Sequence, residues 1–176
     1  PEGQTRSQRR QPRQVSRWPA AGRSPAKRPA TSASMIALVS STLEASLKLV
    51  VVINPNNPTG AHIPHDEVMA LAKALPPSAI LMVDQAYHEF LEDGDRVFEL
   101  VRRGAPVLVL RTFSKAYGMA GLRLGYAVAA GPVLDRLRTV WWGDYGINTA
   151  ARIAGPVALR DQQHVGSYIE LIDQGL

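Results

Sequence analysis

With 176 residues, 45% of them hydrophobic, the chain suffices for one ordinary domain with a single core but not for two. The absence of cysteine excludes disulfides, thiolate metal sites and a cysteine nucleophile, and every apolar run is far too short to cross a bilayer. The net charge of +5 is uneven, because residues 1–28 hold eight basic residues and one acidic residue, whereas the rest of the chain has a slight acidic excess.

The first segment, residues 1–34, is rich in Arg, Gln, Ser, Pro and Ala, and Trp18 is its only aromatic residue. Such a composition cannot bury enough surface to offset the entropy of ordering, so we predict a disordered basic tail. An organelle transit peptide has a similar composition, but prolines at 12, 19, 25 and 29 disfavour the amphipathic helix that it needs. Because the first methionine is Met35, the sequence is consistent with a fragment, a processed chain or an uncertain start site.

An α/β pattern begins near residue 48. Residues 49–53 form a continuous run of Leu, Val and Ile, which predicts a strand covered on both faces. After a turn-rich loop at 54–60, apolar residues at helical spacing predict a helix at 65–75, which ends before Pro76. The same reasoning predicts strands at 79–83, 107–110 and 124–129 and helices at 97–103, 132–141 and 148–159. This alternation indicates an α/β fold with a mostly parallel sheet and helices on both faces.

Polar residues follow three of these strands, at the edge where ligands bind in parallel sheets. Asn57 lies shortly after the first strand, Asp84 directly after the second and Lys115 just beyond the third. Each also has an ordinary interpretation, since turns favour Asn, surface strands often end in Asp, and a single Lys is commonly a solvated charge. Their convergence predicts a ligand site, in which a desolvated Lys115 would act as an amine nucleophile and Arg123 would bind a phosphate.

Three motifs occur in this order: Asn-Pro-Asn-Asn-Pro-Thr-Gly at 54–60, Asp-Gln-Ala-Tyr at 84–87, and Thr-Phe-Ser-Lys at 112–115 with an arginine eight residues further on. Together they resemble the class I/II aminotransferases, and most closely the histidinol-phosphate aminotransferase branch. The resemblance covers about residues 48–165. It implies an aspartate-aminotransferase-like large domain, incomplete here, and pyridoxal phosphate (PLP) as the cofactor.

The central roles that the resemblance implies belong to Lys115 and Asp84. Lys115 would hold PLP as a Schiff base and, once released, would move the proton between the substrate α-carbon and the cofactor. Asp84 would pair with the ring nitrogen and keep it protonated, which preserves the ring as an electron sink.

Five further positions complete the cofactor site that the resemblance implies. Asn57 and Tyr87 would hydrogen-bond the 3-oxygen of the ring. Arg123 and Ser114, together with Thr112, would bind the phosphate. The implied site therefore draws on all three motifs.

Two other groups of residues are interpreted as surface or packing residues. The acidic stretch that begins at Glu89 and ends at Asp95 is predicted to be a solvated turn. The histidines are scattered in the sequence without metal-ligand spacing, so we predict no metal site. They are His62, His65, His88 and His164.

These observations divide the chain into a tail at 1–34, a partial PLP-binding large domain at 35–140 and the start of a C-terminal small domain at 141–176. Members of the family have a longer N-terminal half and a complete small domain, which supply part of the phosphate site and the arginine for the substrate carboxylate. The chain is therefore expected to be a partial enzyme with little turnover by itself.

The implied function is a PLP-dependent aminotransferase that moves an amino group between an amino acid or histidinol phosphate and a 2-oxo acid. The alternatives are a PLP enzyme similar to threonine-phosphate decarboxylase and a catalytically inactive PLP-binding fragment. The implied partners are small molecules in the cytoplasm, with a homodimer in the full-length family and neither nucleic acid nor a membrane. Nucleic-acid binding would depend on the basic tail alone.

Overall fold

The computed structural model describes residues 46–91, 96–140 and 146–175. The basic tail predicted at residues 1–34 lies outside these ranges. All four predicted strands lie inside them, so the predicted sheet can be compared with the observed one.

The four described strands form one sheet in chain order. The strands β1 (Leu49–Ile53), β2 (Ile80–Asp84) and β3 (Val107–Thr112) are parallel, and β4 (Gly125–Ala129) runs antiparallel to β3. Runs of Val, Ile and Leu form these strands because branched side chains pack well on a pleated surface. The predicted strands agree with the observed ones to within two residues at each end, and the mostly parallel sheet is confirmed.

Five α-helices lie in the described ranges: α1 (His65–Ala74), α2 (Val97–Arg102), α3 (Gly131–Arg138), α4 (Thr149–Arg160) and α5 (Gln162–Asp173). Asn148 caps α4 and Asp161 caps α5, because each side chain accepts a hydrogen bond from a backbone N–H of the first turn. Helix α5 is not among the helices predicted from the sequence, although Val165 and Ile169 have helical spacing. None of these helices is long and apolar enough to cross a membrane.

Helices pack on both faces of the sheet, as predicted. On the opposite face from α3, the core combines buried side chains of β2, β3, α1 and α2: Leu81, Val83, Val107, Val109, Val68 and Leu100. The helix α3 packs through Val133 against Leu108 of β3 and Ala129 of β4. Each of the buried Val and Leu side chains stabilises the fold by about 1.5–3 kcal/mol through the apolar surface it removes from water.

A third apolar cluster lies beyond the carboxyl end of β3. In it Phe113, Ala116 and Tyr117 pack against Val165 of α5. The Phe113 ring centroid lies 4.9 Å from that of Tyr117 and 5.6 Å from that of Tyr126. Aromatic contacts of this kind add to the stabilisation from burial alone. The cluster therefore holds in place the segment that follows β3.

The prediction that the first strand is covered on both faces is wrong within the described part of the chain. Val50 and Val52 pack against the core, but Leu49, Val51 and Ile53 on the other face are 46%, 53% and 41% exposed. The reason is position in the sheet, since β1 pairs with β2 alone among the described strands and α3 packs on the other strands. A continuous apolar run does not reveal whether its strand is central or at an edge.

Candidate active site

The three parallel strands end together at one edge of the sheet. Asp84, the last residue of β2, lies opposite Ile53 of β1 and Leu110 of β3. Two backbone hydrogen bonds extend this pairing past the strand ends, from Asn54 N to Asp84 O at 2.8 Å and from Gln85 N to Leu110 O at 2.9 Å. The segments that follow these strands are therefore fixed relative to one another, and they carry most of the predicted site residues.

The loop after β1 is fixed by Asn54, which is 1% exposed. Its side chain donates from Nδ2 to Ile63 O at 2.9 Å and accepts from Ile63 N at 2.8 Å, so that it closes the loop. A buried side-chain amide with both groups satisfied is a strong local constraint. Sequence reasoning missed this role because Asn is also a common turn residue. Asn57 lies at the exposed part of the loop.

The side chains of Asn57 and Tyr87 are in contact. Asn57 Nδ2 donates a hydrogen bond to Tyr87 Oη at 3.2 Å, although the residues lie 30 positions apart. Asp84 is half-buried at the strand end, and its Oδ1 accepts a hydrogen bond from Ala86 N at 3.0 Å. The segment from Asp84 to Tyr87 thus presents a carboxylate and a phenol at the same edge of the sheet.

Lys115 lies above the ring of Tyr87. Its Nζ is 5.1 Å from the ring centroid, within the range of a cation–π interaction. Lys115 is itself exposed, so it is not desolvated in the cofactor-free chain, contrary to the prediction from the sequence. Its neighbours Phe113 and Ala116 are 2% and 0% exposed and fix the backbone on both sides. Three predicted site residues, Asn57, Tyr87 and Lys115, therefore form one chain of contacts.

Residues 113–124 form a loop that follows β3. Both ends of this loop lie at the carboxyl end of β3. Phe113 N donates to Leu124 O at 3.1 Å, and Met119 N donates to Phe113 O at 2.9 Å. Gly118, with φ +67°, allows the turn in which its N–H donates to Lys115 O at 2.8 Å. These hydrogen bonds close the loop and bring Lys115 and Arg123 to the same edge of the sheet.

The predicted phosphate-binding residues lie at the two ends of this loop. Thr112 Oγ1 accepts a hydrogen bond from Ser114 N at 3.1 Å, so these two residues are together. Arg123 is exposed, and its Nη1 donates to Ala120 O at 3.1 Å, within its own turn. Its φ of 54° is left-handed, a conformation that costs a residue other than glycine about 1–3 kcal/mol and that concentrates at functional sites.

A buried ion pair at the same edge was missed by sequence reasoning. Arg111 Nη1 and Glu89 Oε1 are 2.9 Å apart, with side chains only 8% and 9% exposed. The prediction that Glu89 belongs to a solvated turn is therefore wrong, because Arg111 compensates its charge; the residues at 92–95 lie outside the described ranges. A signal was present in β3, where the alternation that buries Val107 and Val109 directs Arg111 to the same face.

Three histidines that are scattered in the sequence lie together in space. The ring centroids of His62 and His65 are 5.9 Å apart, and those of His65 and His88 are 6.5 Å apart. His65 is 8% exposed at the start of α1, which fits a packing role. Within the described ranges, no group of three or more His, Cys, Asp or Glu side chains is arranged to hold a metal ion.

Comparison with known proteins identifies the family. The sequence profile of the family described as "Aminotransferase class I and II" matches residues 13–174. The chain belongs to the class I and II aminotransferases. A histidinol-phosphate aminotransferase of Moorella thermoacetica is 37% identical over 143 residues, which are 80% of this chain and 37% of that protein. Histidinol-phosphate aminotransferase 2 of Ralstonia nicotianae is 41% identical over 126 residues, which are 70% of this chain and 33% of that protein.

Solved aminotransferase structures have the same fold. Histidinol-phosphate aminotransferase from Sinorhizobium meliloti in complex with pyridoxal-5'-phosphate is 30% identical, with a TM-score of 0.67, over 79% of this chain and 37% of that one. Aspartate aminotransferase of Thermus thermophilus, as a double mutant, is 27% identical, with a TM-score of 0.68, over 79% of this chain and 37% of that one. The aminotransferase chain thus spans about a third of the length of these relatives.

The predicted family and fold class are confirmed by these matches. The family is PLP-dependent, so the predicted cofactor is confirmed at the level of the family. The family match also extends beyond residues 48–165, the range over which the motifs alone suggested a resemblance.

Proposed function

We propose that this chain carries the cofactor-anchoring part of a PLP-dependent aminotransferase. The full-length protein would transfer an amino group between an amino acid or histidinol phosphate and a 2-oxo acid. One observation supports this proposal most strongly: the Lys115 amine lies 5.1 Å above the ring of Tyr87, whose hydroxyl accepts a hydrogen bond from Asn57. Three separate segments thus contribute an amine, a phenol and an amide to one edge of the sheet.

The chemistry of these residues fits the parts of PLP. An amine suits the aldehyde carbon, a carboxylate suits the protonated ring nitrogen, and an amide with a phenol suits the ring oxygen. We therefore assign Lys115 to the aldehyde, Asp84 to the ring nitrogen, and Asn57 with Tyr87 to the 3-oxygen. Asp84 Oδ1 accepts one hydrogen bond from Ala86 N, and the half-buried carboxylate has room for a further donor.

The phosphate group is assigned to the ends of the loop at 113–124. Arg123 supplies a guanidinium, which binds phosphate oxygens in a bidentate manner, and Ser114 and Thr112 supply hydroxyls. The unfavourable backbone conformation of Arg123 supports a functional role, since such conformations persist where the surroundings require them.

When bound, PLP supplies an electron sink that stabilises negative charge at the substrate α-carbon. The residues of this chain then do two things. Asp84 holds the proton on the ring nitrogen, which keeps the sink effective. Lys115, once released, would remove the proton from the substrate α-carbon and would deliver it to the cofactor carbon to which Lys115 had been bound, which is general acid–base catalysis by a positioned amine.

The proposal is tested by covalent capture of PLP. The purified chain is mixed with PLP, its absorbance spectrum is recorded, and borohydride reduction is followed by peptide mapping. We expect modification of Lys115 in the parent chain and none in Lys115→Ala. The matched control is Lys73→Ala, which removes an exposed lysine of α1 and should leave capture on Lys115 unchanged. Labelling spread over several lysines would contradict the assignment.

The substrate is tested on the full-length protein. Glutamate formed from 2-oxoglutarate is measured with histidinol phosphate and with histidinol as amino donors. We expect faster turnover with the phosphorylated donor and loss of turnover in Lys115→Ala. Release of carbon dioxide from threonine phosphate without glutamate formation would overturn the aminotransferase assignment.

The remaining parts of the proposal rest on the family resemblance. They are a large-domain part at 35–140, the start of a small domain at 141–176, and a cytoplasmic homodimer that acts on small molecules without nucleic acid or membrane. Light scattering of the full-length protein tests the dimer, and a monomer at micromolar concentration would exclude it.

A further inference from the structure

Arg111 connects three segments of the chain through one buried guanidinium. Its Nε donates to Gln85 Oε1 at 2.9 Å, and its Nη1 donates to Glu89 Oε1 at 2.9 Å. Its guanidinium carbon lies 5.4 Å from the ring centroid of Phe98 on α2. Gln85 is 0% exposed and the Arg111 and Glu89 side chains are 8% and 9% exposed, so the polar part of the network is buried.

The position of this network along the chain is its most informative property. Gln85 directly follows Asp84, and Glu89 lies two residues after Tyr87, so Arg111 binds on both sides of Tyr87. Arg111 also precedes Thr112 and lies four residues before Lys115. A single side chain therefore links the segment that carries the carboxylate and phenol to the strand that leads to the amine.

The segment around Tyr87 needs such a link. Its own backbone hydrogen bonds are those of tight turns, from His88 N to Gln85 O at 3.1 Å and from Phe90 N to Tyr87 O at 3.2 Å. Tight turns of this kind have poorer hydrogen-bond geometry than an α-helix. Side-chain anchors must therefore restrict the orientation of the segment.

We propose that Arg111 is a positioning residue, which fixes Asp84 and Tyr87 relative to Lys115 by binding Gln85 and Glu89. A buried ion pair is seldom a net source of stability compared with apolar residues of similar size, but its fixed geometry can specify one arrangement. The identity of the positioned ligand as PLP rests on the proposed function. The positioning itself is a property of the cofactor-free chain.

The first test compares two carboxylate-to-amide substitutions. Glu89→Gln removes the negative charge of the buried partner of Arg111, and Asp66→Asn removes that of the exposed partner of Arg96. Arg96 Nη1 and Asp66 Oδ1 are 2.7 Å apart, and the Asp66 side chain is 83% exposed. Hydrogen exchange is measured on the cofactor-free chain. We expect amide exchange at residues 86–91 to become at least about tenfold faster in Glu89→Gln and to stay unchanged in Asp66→Asn. Equal acceleration in β3 would indicate general destabilisation and overturn the proposal.

The second test removes the ion pair without leaving a buried charge. In the double variant Glu89→Leu with Arg111→Met, apolar side chains of similar length replace the pair, which is often neutral or stabilising. We expect the urea midpoint to recover only partly relative to Glu89→Gln, because Gln85 Oε1 loses its bond from Arg111, and we expect PLP affinity about tenfold weaker than in the parent chain. The circular dichroism of PLP bound to the double variant should also be weaker than that of PLP bound to the parent chain, because the ring is held less rigidly.

The outcomes separate this inference from the proposed function. If the parent chain does not capture PLP, the proposed function fails and the exchange experiment alone decides the role of Arg111. If the double variant recovers PLP affinity and cofactor dichroism together with stability, the ion pair is only structural and the inference is wrong. If the double variant still captures PLP on Lys115 but the dichroism of the bound cofactor is altered, the positioning role of Arg111 is supported.

Discussion

Arg123 is the residue whose contribution to the proposed site can be measured most directly. A guanidinium that binds phosphate makes charge-assisted hydrogen bonds, each worth about 1.5–3 kcal/mol. We therefore expect Arg123→Gln to weaken PLP binding at least about tenfold and to leave the affinity for pyridoxal, which lacks the phosphate, unchanged. Titration with the two compounds measures the difference. The control is Arg138→Gln on α3, where the arginine side chain is 73% exposed. An equal loss for both compounds would remove Arg123 from the phosphate site.

At the residue scale, the motifs indicate the residues that we assign to the ligand and do not indicate the residues that support them. Asn57, Tyr87 and Lys115 were predicted and lie in contact. The pair of Arg111 and Glu89 was not predicted, because charged residues are usually solvated. Strand alternation in β3 indicates the buried face for Arg111, but a separation of 22 positions does not identify its partner. Their pairing depends on β3 lying beside β2, which only the folded sheet provides.

Strand β4 begins with a glycine that the sheet requires. A Cβ at Gly125 would lie 2.8 Å from Arg111 O, a backbone atom that cannot move without disturbing β3. We expect Gly125→Ala to lower the free energy of unfolding by about 1–3 kcal/mol, as overpacking of a close contact does. Urea denaturation measures this change. Gly121→Ala is the control, since its Cβ would meet no atom within 4 Å and should cost little.

Helix α4 is connected to the loop at 113–124 by its capping residue. Asn148 Oδ1 accepts from Ala151 N at 2.8 Å, and its Nδ2 donates to Leu122 O at 2.9 Å. Asn148→Ala should lower the free energy of unfolding by about 1–2 kcal/mol, because both bonds are lost. Asn148→Asp keeps the cap but not the donor and should lie between the parent and the alanine variant in a urea titration. Equal effects of the two substitutions would show that the cap on Ala151 N contributes nothing, whereas an aspartate variant as stable as the parent would show that the bond to Leu122 contributes nothing.

At the element scale, local sequence patterns predict the strands and most of the helices. They do not predict which elements pack beside each one. The run at 49–53 specifies a strand, yet its exposure depends on which elements lie beside it. The helix α5 was missed because Asp161 both ends α4 and caps α5, so the break between them is a single residue. Periodicity detects an element and gives little information about such short connections.

The exposed face of β1 affects the behaviour of the whole molecule. Val51 is 53% exposed on a strand that pairs on one side only among the described strands, and such edges associate with other chains. We expect the 176-residue chain to self-associate and Val51→Lys to reduce this association in sedimentation experiments. Ile153→Lys, on α4 and 70% exposed, serves as the comparison. If Ile153→Lys suppresses association as well as Val51→Lys does, the exposed face of β1 is not the specific contact between the chains.

The two backbone hydrogen bonds that close the loop at 113–124 have a consequence for binding kinetics. Hydrogen bonds from Phe113 N to Leu124 O and from Met119 N to Phe113 O close this loop as the chain folds. The loss of conformational entropy in these residues then belongs to folding and not to ligand capture, so the site is preorganised. The observed rate of PLP capture should therefore rise in proportion to PLP concentration, without the plateau that a slow loop-ordering step would impose.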